Sequence, residues 1–205
     1  MANKGFTHLH LHSQYSLLDG AISFDKLLKL CKKLDMECVA VTDHGNMFGV
    51  IEFYTKAIAA HIKPVLGIEA YIAPGSRLDR AKTSISDAAY HLILLAENNT
   101  GYRNLLKLTS SGYLEGFYYR PRIDKEILTE FNEGIICTSA CLKGEVTAEI
   151  ARGNEKAART AAESFVKIFG PERFFIELQE HGGDHPDVTE GLRDLAKKMG
   201  LGSVA

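Results

Sequence analysis

The stretch Phe6-Thr7-His8-Leu9-His10-Leu11-His12 constrains the fold more than any other part of this chain, because imidazoles alternate with apolar residues along it. Alternate side chains of a strand share one face. The period therefore predicts a first strand with His8, His10 and His12 on one side and Leu9 and Leu11 turned into a core. Neutral imidazole is the commonest metal ligand, and an acid, Asp19, follows shortly. The pattern points to a metal site in preference to a solvated strand that is merely rich in His.

The 205 residues are enough to bury a substantial core, and a hydrophobic share of 45% with 24% charged residues is that of an ordinary globular domain, which argues against disorder. No apolar run reaches the ~18 residues of a membrane span, and no charged start leads into an apolar signal region. The chain is therefore read as cytoplasmic and without a membrane partner. Cys31, Cys38, Cys137 and Cys141 are scattered and are expected to be reduced. With a formal net charge of -2, no global positive field recruits nucleic acid, so any grip on a polyanion must be local.

Strand-like and helix-like segments alternate along the chain. Ser23 can cap a helix whose apolar residues Phe24, Leu27, Leu28, Cys31 and Leu34 recur at helical spacing. A short apolar strand, 38–42, then runs into the turn Asp43-His44-Gly45-Asn46, and the next helix is predicted to place Val50, Ile51, Tyr54, Ala57 and Ile58 on one face. Further strands are predicted at about 64–72, 91–96, 135–138 and 174–178, and helices at about 155–169 and 188–199. Such alternation implies parallel strands with helices outside, as a barrel or a doubly wound sheet. The polar residues gather at one end of these units: His10 and His12 after strand one, Asp43 and His44 after strand two, Glu69 late in strand three, Ser139 to Cys141 after strand five. In a β/α barrel that end is the active face. His91, at a strand start, fits less well.

His10-Leu11-His12-Ser13, Leu18-Asp19-Gly20, Thr42-Asp43-His44-Gly45, Gly67-Ile68-Glu69-Ala70-Tyr71 and Ser139-Ala140-Cys141 resemble the ordered motifs of the polymerase and histidinol phosphatase (PHP) superfamily. More narrowly, Asn46-Met47-Phe48-Gly49, residues 71–77, Asn98-Asn99-Thr100-Gly101-Tyr102 and residues 117–122 resemble the PHP domains at the amino terminus of bacterial DNA polymerase III alpha subunits. The resemblance runs from Phe6 to the last residue and implies a single PHP domain. Its implied fold is a distorted seven-stranded β/α barrel whose mouth holds up to three ions, zinc or manganese. The implied ligands are His10, His12, Asp19, His44, Glu69, His91 and Cys141, with Glu69 bridging and Asp19 and Glu69 carrying catalysis. His8 is expected either to be buried or to stand behind the ligands, and Asp43 beside them, where such residues orient ligands.

The family pattern ends with an Asp-x-His pair after the last strand, whereas this sequence stops at Leu201-Gly202-Ser203-Val204-Ala205, where that strand should be running. The chain is accordingly expected to be the N-terminal piece of a longer polymerase subunit, truncated before or within its last strand and unable to polymerise DNA by itself. Mixed nitrogen, oxygen and thiolate donors suit zinc, and carboxylate with imidazole admits manganese. Clustered cations ~3.5 to 4 Å apart lower the pKa of a bound water toward ~7 and suit phosphoester hydrolysis. In a polymerase the implied substrate is the 3′ end of a DNA strand, cleaved in proofreading. Arg77, Arg80 and Lys82, and Tyr118, Tyr119, Arg120 and Arg122, are candidates for phosphate contacts and base stacking, or else belong to solvated or interdomain loops.

Cys31, Cys38 and Cys137 read as core residues. His61 reads as a helix-end residue, and His181 and His185 flank a Gly-Gly loop that could touch the site. A role as a metal-stabilised scaffold that docks a separate proofreading subunit, and a stand-alone phosphatase of the histidinol phosphatase type, are the alternatives to an exonuclease domain.

Overall fold

The computed structural model describes residues 5–80, 89–180 and 186–205, so Lys82, His181 and His185 lie outside the described residues. The strands are β1 (Cys38–Val41), β2 (Lys63–Ile72), β3 (Tyr90–Ala96), β4 (Phe117–Tyr118), β5 (Arg120–Ile123), β6 (Ile135–Thr138), β7 (Phe174–Glu177) and β8 (Ser203–Val204). The helices are α1 (Phe24–Lys33), α2 (Val50–Ala59), α3 (Asn99–Leu114), α4 (Lys125–Glu130), α5 (Glu145–Ala151), α6 (Glu155–Phe169) and α7 (Pro186–Met199). Neighbours in the sheet follow the order β4-β5-β2-β3-β6-β7-β8, with β1 also on β2. The fold is α/β, a curled mixed sheet forming a half-barrel with helices packed against it.

The expectation of parallel strands throughout is corrected at β3. It pairs antiparallel with β2 and with β6, whereas β1 on β2, β6 on β7 and β7 on β8 are parallel. A parallel neighbour needs a crossover connection, usually a helix. Among the described residues no helix separates β2 from β3, so the chain returns in the opposite direction.

The predicted first strand is not a regular strand. Ala40 N donates to His8 O at 2.8 Å and Thr42 N to Leu11 O at 2.9 Å. Two steps along β1 thus match three along the N-terminal segment, and the extra residue breaks the period as a bulge does. Leu9 packs against Ala40, Ile93, Leu95 and Ala140 inside the half-barrel, while Leu11 joins Phe24, Val39, Val41 and Phe53 beneath α1 and α2. His8 is not buried as expected: it is exposed, with its ring edge-on to Phe6.

Helix α1 buries Phe24, Leu27, Leu28 and Cys31, four of the five residues its spacing predicts, while Leu34, just past its end, is exposed; Ser23 caps it by backbone conformation without a side-chain hydrogen bond. In α2 the buried residues are Phe53 and Ala57, while Ile51, Tyr54 and Ile58 are exposed. The predicted face is therefore turned by about one residue, because Phe53 meets Phe24 with ring centroids 5.4 Å apart and takes the core side. The larger core lies between the sheet and α3 to α7, with Phe165, Phe169 and Phe174 fully buried, each contributing about 2–3 kcal/mol of hydrophobic stabilisation. Cys31 and Cys137 are core residues, whereas Cys38, opening β1, is only partly buried. His61 follows α2 with φ +56°, a helix-end conformation.

Candidate metal centre

Each donor arrives by a different local device. His10 and His12 hang from the bulged N-terminal segment, and Asp19 from the turn after it. His44 is placed by a continuation of the β1–β2 pairing: Glu69 N donates to Asp43 O at 3.1 Å and Gly45 N to Glu69 O at 2.9 Å, so His44 and Glu69 form a parallel bridge. The chain then turns at Gly45, whose φ is +63° and where a Cβ would fall 2.9 Å from Pro121 and Tyr71, so glycine is required. His91, the second residue of β3, is the antiparallel partner of Tyr71 near the end of β2. Antiparallel pairing thus brings a strand start to the same mouth as the other strand ends.

The structure brings all seven predicted donors together around Glu69. Glu69 Oε2 lies 2.6 Å from His12 Nε2, 2.9 Å from His44 Nδ1 and 3.3 Å from His10 Nε2, and Oε1 lies 2.7 Å from His91 Nδ1. Asp19 Oδ2 is 2.5 Å from His12 Nδ1 and 3.4 Å from His44 Nε2. Cys141 Sγ stands 3.7 Å from both Glu69 Oε1 and His91 Nδ1. Three overlapping triads, His10–His12–Glu69, His12–Asp19–His44 and His44–Glu69–His91, each hold their ligand atoms within 4.8 Å of one another.

These residues fit divalent cations. A neutral imidazole has one N–H and one lone pair, yet His12 has a carboxylate at each nitrogen. His44 Nδ1 is buried and, despite its nearness to Glu69, has no partner in hydrogen-bond geometry among the described residues. A cation between nitrogen and carboxylate satisfies both at once. The donors grade from Glu69, 1% exposed, to Asp19, 50% exposed, so the site opens toward Asp19.

Charge within the cluster is tightly coupled. Burial alone would depress the His10 imidazole, but hydrogen bonds to Glu177 and Glu69 override it and raise its pKa to about 10. His12 moves up too, burial being outweighed by Glu69. In His91 burial prevails and the pKa falls. Burial opposes ionisation of Glu69, yet the surrounding imidazoles hold its carboxyl far below the usual range. Burial, then Glu69, pushes the Cys141 thiol up to about 12, so a nearby cation would be needed to make it a thiolate.

Asp43 is not among the donors. Buried, it accepts from Ser13 N at 2.7 Å, Ser13 Oγ at 2.8 Å and Ser16 Oγ at 2.7 Å, and so pins the segment that carries His12 to the turn that carries His44. Glu177, at the end of β7, went unread in the sequence, although it closes an apolar strand at the mouth much as Glu69 does. It is 6% exposed, with Oε1 2.7 Å from His10 Nδ1.

The arginines divide. Arg122 is buried and donates to the backbone carbonyls of Gly116, Arg77 and Asp79; Arg77 is paired with Glu115 and Asp124. Of the two roles open to them, substrate contact or a place in the loops, the contacts of both are those of loop residues around β5, where neighbouring carbonyls and carboxylates engage their N–H groups. Tyr118 lies under the Arg122 guanidinium, 5.0 Å from its ring centroid, and 4.4 Å from Tyr119. Arg120 is exposed, with Nη1 donating to Tyr71 OH at 2.6 Å; Tyr71 in turn stacks on His44 at 5.8 Å.

The DNA polymerase III subunit alpha of Treponema pallidum is 46% identical over 98% of this chain, and that of Borreliella burgdorferi 49% identical over 96%. The chain spans 17% of the length of each of these relatives. An amidohydrolase from Chromobacterium violaceum, solved with bound sulfate and no metal, superposes with a TM-score of 0.55 at 13% identity, covering 96% of this chain and 84% of that one, a likeness of fold. Residues 8–181, which include every donor of the cluster, match the PHP domain, and the chain belongs to that family.

Proposed function

We propose that the chain is the metal-dependent phosphoesterase domain of a bacterial replicative polymerase alpha subunit, acting in the cytoplasm on the 3′ end of a DNA strand as a proofreading exonuclease. The observation that carries this reading is the convergence of five donors, His10, His12, His44, His91 and Cys141, from four separate parts of the chain on one buried carboxylate, Glu69, with Asp19 beside His12 and His44. His10, His12, Asp19, His44, Glu69, His91 and Cys141 would hold zinc or manganese, up to three ions in the whole family pattern. Bound divalent cations would supply charge neutralisation at phosphorus and acidify a water.

The chain's own residues divide the remaining work. Glu69 sets the charge at the centre, and Asp19, the most exposed donor, faces the side from which a strand end can approach. Arg120, held over Tyr71 with its guanidinium 4.8 Å from the ring centroid, is placed to meet a phosphate beside His44, and Tyr118 is a stacking candidate on the same hairpin. The test is release of monophosphate from a single strand with a mismatched 3′ end in the presence of manganese. Asp19→Asn should abolish it with the fold intact by circular dichroism, and Lys56→Ala on α2 should not. A folded Asp19→Asn protein as active as the parent would overturn the reading.

A second reading is favoured by one observation. Phe48, Ile51, Tyr54, Leu114 and Phe117 are all exposed, and Phe48 and Phe117 flank Tyr113 with centroids 5.9 and 6.3 Å away. Such a patch suits contact with the rest of the alpha subunit or with a separate proofreading subunit, the metals then serving as structural ties. Fully metal-bound protein with no hydrolysis in either variant would favour it.

A further inference from the structure

We infer that Glu177 is a positioning residue of the metal centre: it holds His10 in the tautomer that bears its proton on Nδ1, and so aims the Nε2 lone pair at the cation site beside Glu69. The inference rests on the metal-holding reading above.

Glu177 is 6% exposed, a setting in which a carboxylate is retained only with its oxygens satisfied. Its Oε1 lies 2.7 Å from His10 Nδ1 and accepts from Gln179 Nε2 at 2.6 Å; its Oε2 accepts from the Thr138 hydroxyl. Its own backbone N donates to Ser139 Oγ at 2.9 Å. β6 and β7 thus fix the carboxylate before it meets His10. On the far side of the same ring, His10 Nε2 faces Glu69 Oε2 at 3.3 Å.

The arrangement is unlike that of the other imidazoles. The carboxylates facing His12, His44 and His91 are those of Asp19 and Glu69, both members of the donor cluster. Among the described residues, His10 alone has one nitrogen on a donor of the cluster and the other on a carboxylate that belongs to none of the triads. A neutral imidazole that gives its only N–H to Glu177 has its lone pair on Nε2, which is the ligand form. Outer carboxylates of this kind orient metal-bound histidines and raise their basicity, and their loss costs about 10–100-fold in affinity.

The experiment uses the chain with 15N-labelled histidine and zinc, together with Glu177→Ala and Glu177→Gln. Zinc affinity is measured by competition with a chromophoric chelator, His10 protonation by long-range 15N–1H correlation, and folding by melting in EDTA. The expected result is His10 bound through Nε2 with a protonated Nδ1, a roughly 10–100-fold loss of affinity in Glu177→Ala, and substantial recovery in Glu177→Gln, whose amide oxygen still accepts from Nδ1–H. Unchanged affinity in a folded Glu177→Ala overturns the inference while leaving the metal reading intact. A parent chain that binds no zinc overturns both. If Glu177→Ala does not fold, the parent spectrum decides: binding through Nδ1 overturns the assignment, and binding through Nε2 with a protonated Nδ1 sustains it.

Discussion

His91 Nδ1 stands 2.7 Å from Glu69 Oε1, although one residue lies early in β3 and the other late in β2. The two strands run in opposite directions, so the contact follows from the reversal of β3. With His10, His12 and His44 it surrounds one carboxylate by imidazoles, and this arrangement sets the first prediction.

Glu69→Gln removes the carboxylate that belongs to two of the three triads and touches the third through His12 and His44. Zinc retained after dialysis, measured by elemental analysis, should fall by more than the roughly 10–100-fold that an outer partner is worth. Retention of parental zinc content would show that Glu69 is not a ligand.

A graded response is expected among the arginines. Arg122→Ala leaves the carbonyls of Gly116, Arg77 and Asp79 without their buried donor and should destabilise by about 3 kcal/mol in urea unfolding. Arg120→Ala, at an exposed position, should leave the urea midpoint nearly unchanged and lower hydrolysis of single-stranded DNA, chiefly through KM. Equal loss of stability in the two variants would contradict the division drawn between them.

The pH dependence of stability in chelator has a definite sign. His10 has its pKa raised in the fold from 6.5 to about 10, so it binds its proton more tightly folded than unfolded. Its stabilising contribution is complete below 6.5 and is lost as pH rises through 10. The depressed carboxyls of Glu69 and Glu177 act oppositely, contributing above their ordinary value of 4.5 and losing that contribution in acid. Melting temperature in EDTA should therefore decline between pH 7 and 10 in the parent, and less steeply in His10→Asn; parallel curves would refute the assignment to His10.

Zinc should also bind more tightly as pH rises from 6 to 8, because the imidazoles and the Cys141 thiol must shed protons to coordinate. Calorimetry in buffers of different ionisation enthalpy would count the protons released. Binding without proton release would place the ion elsewhere.

Much of this was legible in the sequence where a residue's own spacing decided the outcome. Phe24, Leu27, Leu28 and Cys31 state their helical stripe without reference to the rest of the chain, and the limits of α6 agree with its periodicity. The resemblance of short motifs supplied the donors, including His91, for which strand order alone argued badly. What failed depended on partners distant in sequence. The bulge before β1 arises because His8 and Leu11 must both meet that strand, and the alternation of Leu9 and Leu11 carries no trace of it. The turned face of α2 was decided by Phe24, and the commitment of Arg122 by carbonyls of two loops. Glu177 looked like the polar end of one more strand until His10 lay against it.

The contact between His10 and Glu177 joins positions 167 residues apart and draws the N-terminal segment beside β1 toward β7 on the opposite flank of the sheet. Closing so large a ring costs about 4–5 kcal/mol of chain entropy. We expect that contact to form late and to yield early, as a seam in the half-barrel that runs through its own chemistry. Proteolysis or hydrogen exchange under mild denaturant should find that seam first, and whatever ligand bridges His10 to Glu69 would act on the whole chain as a clasp.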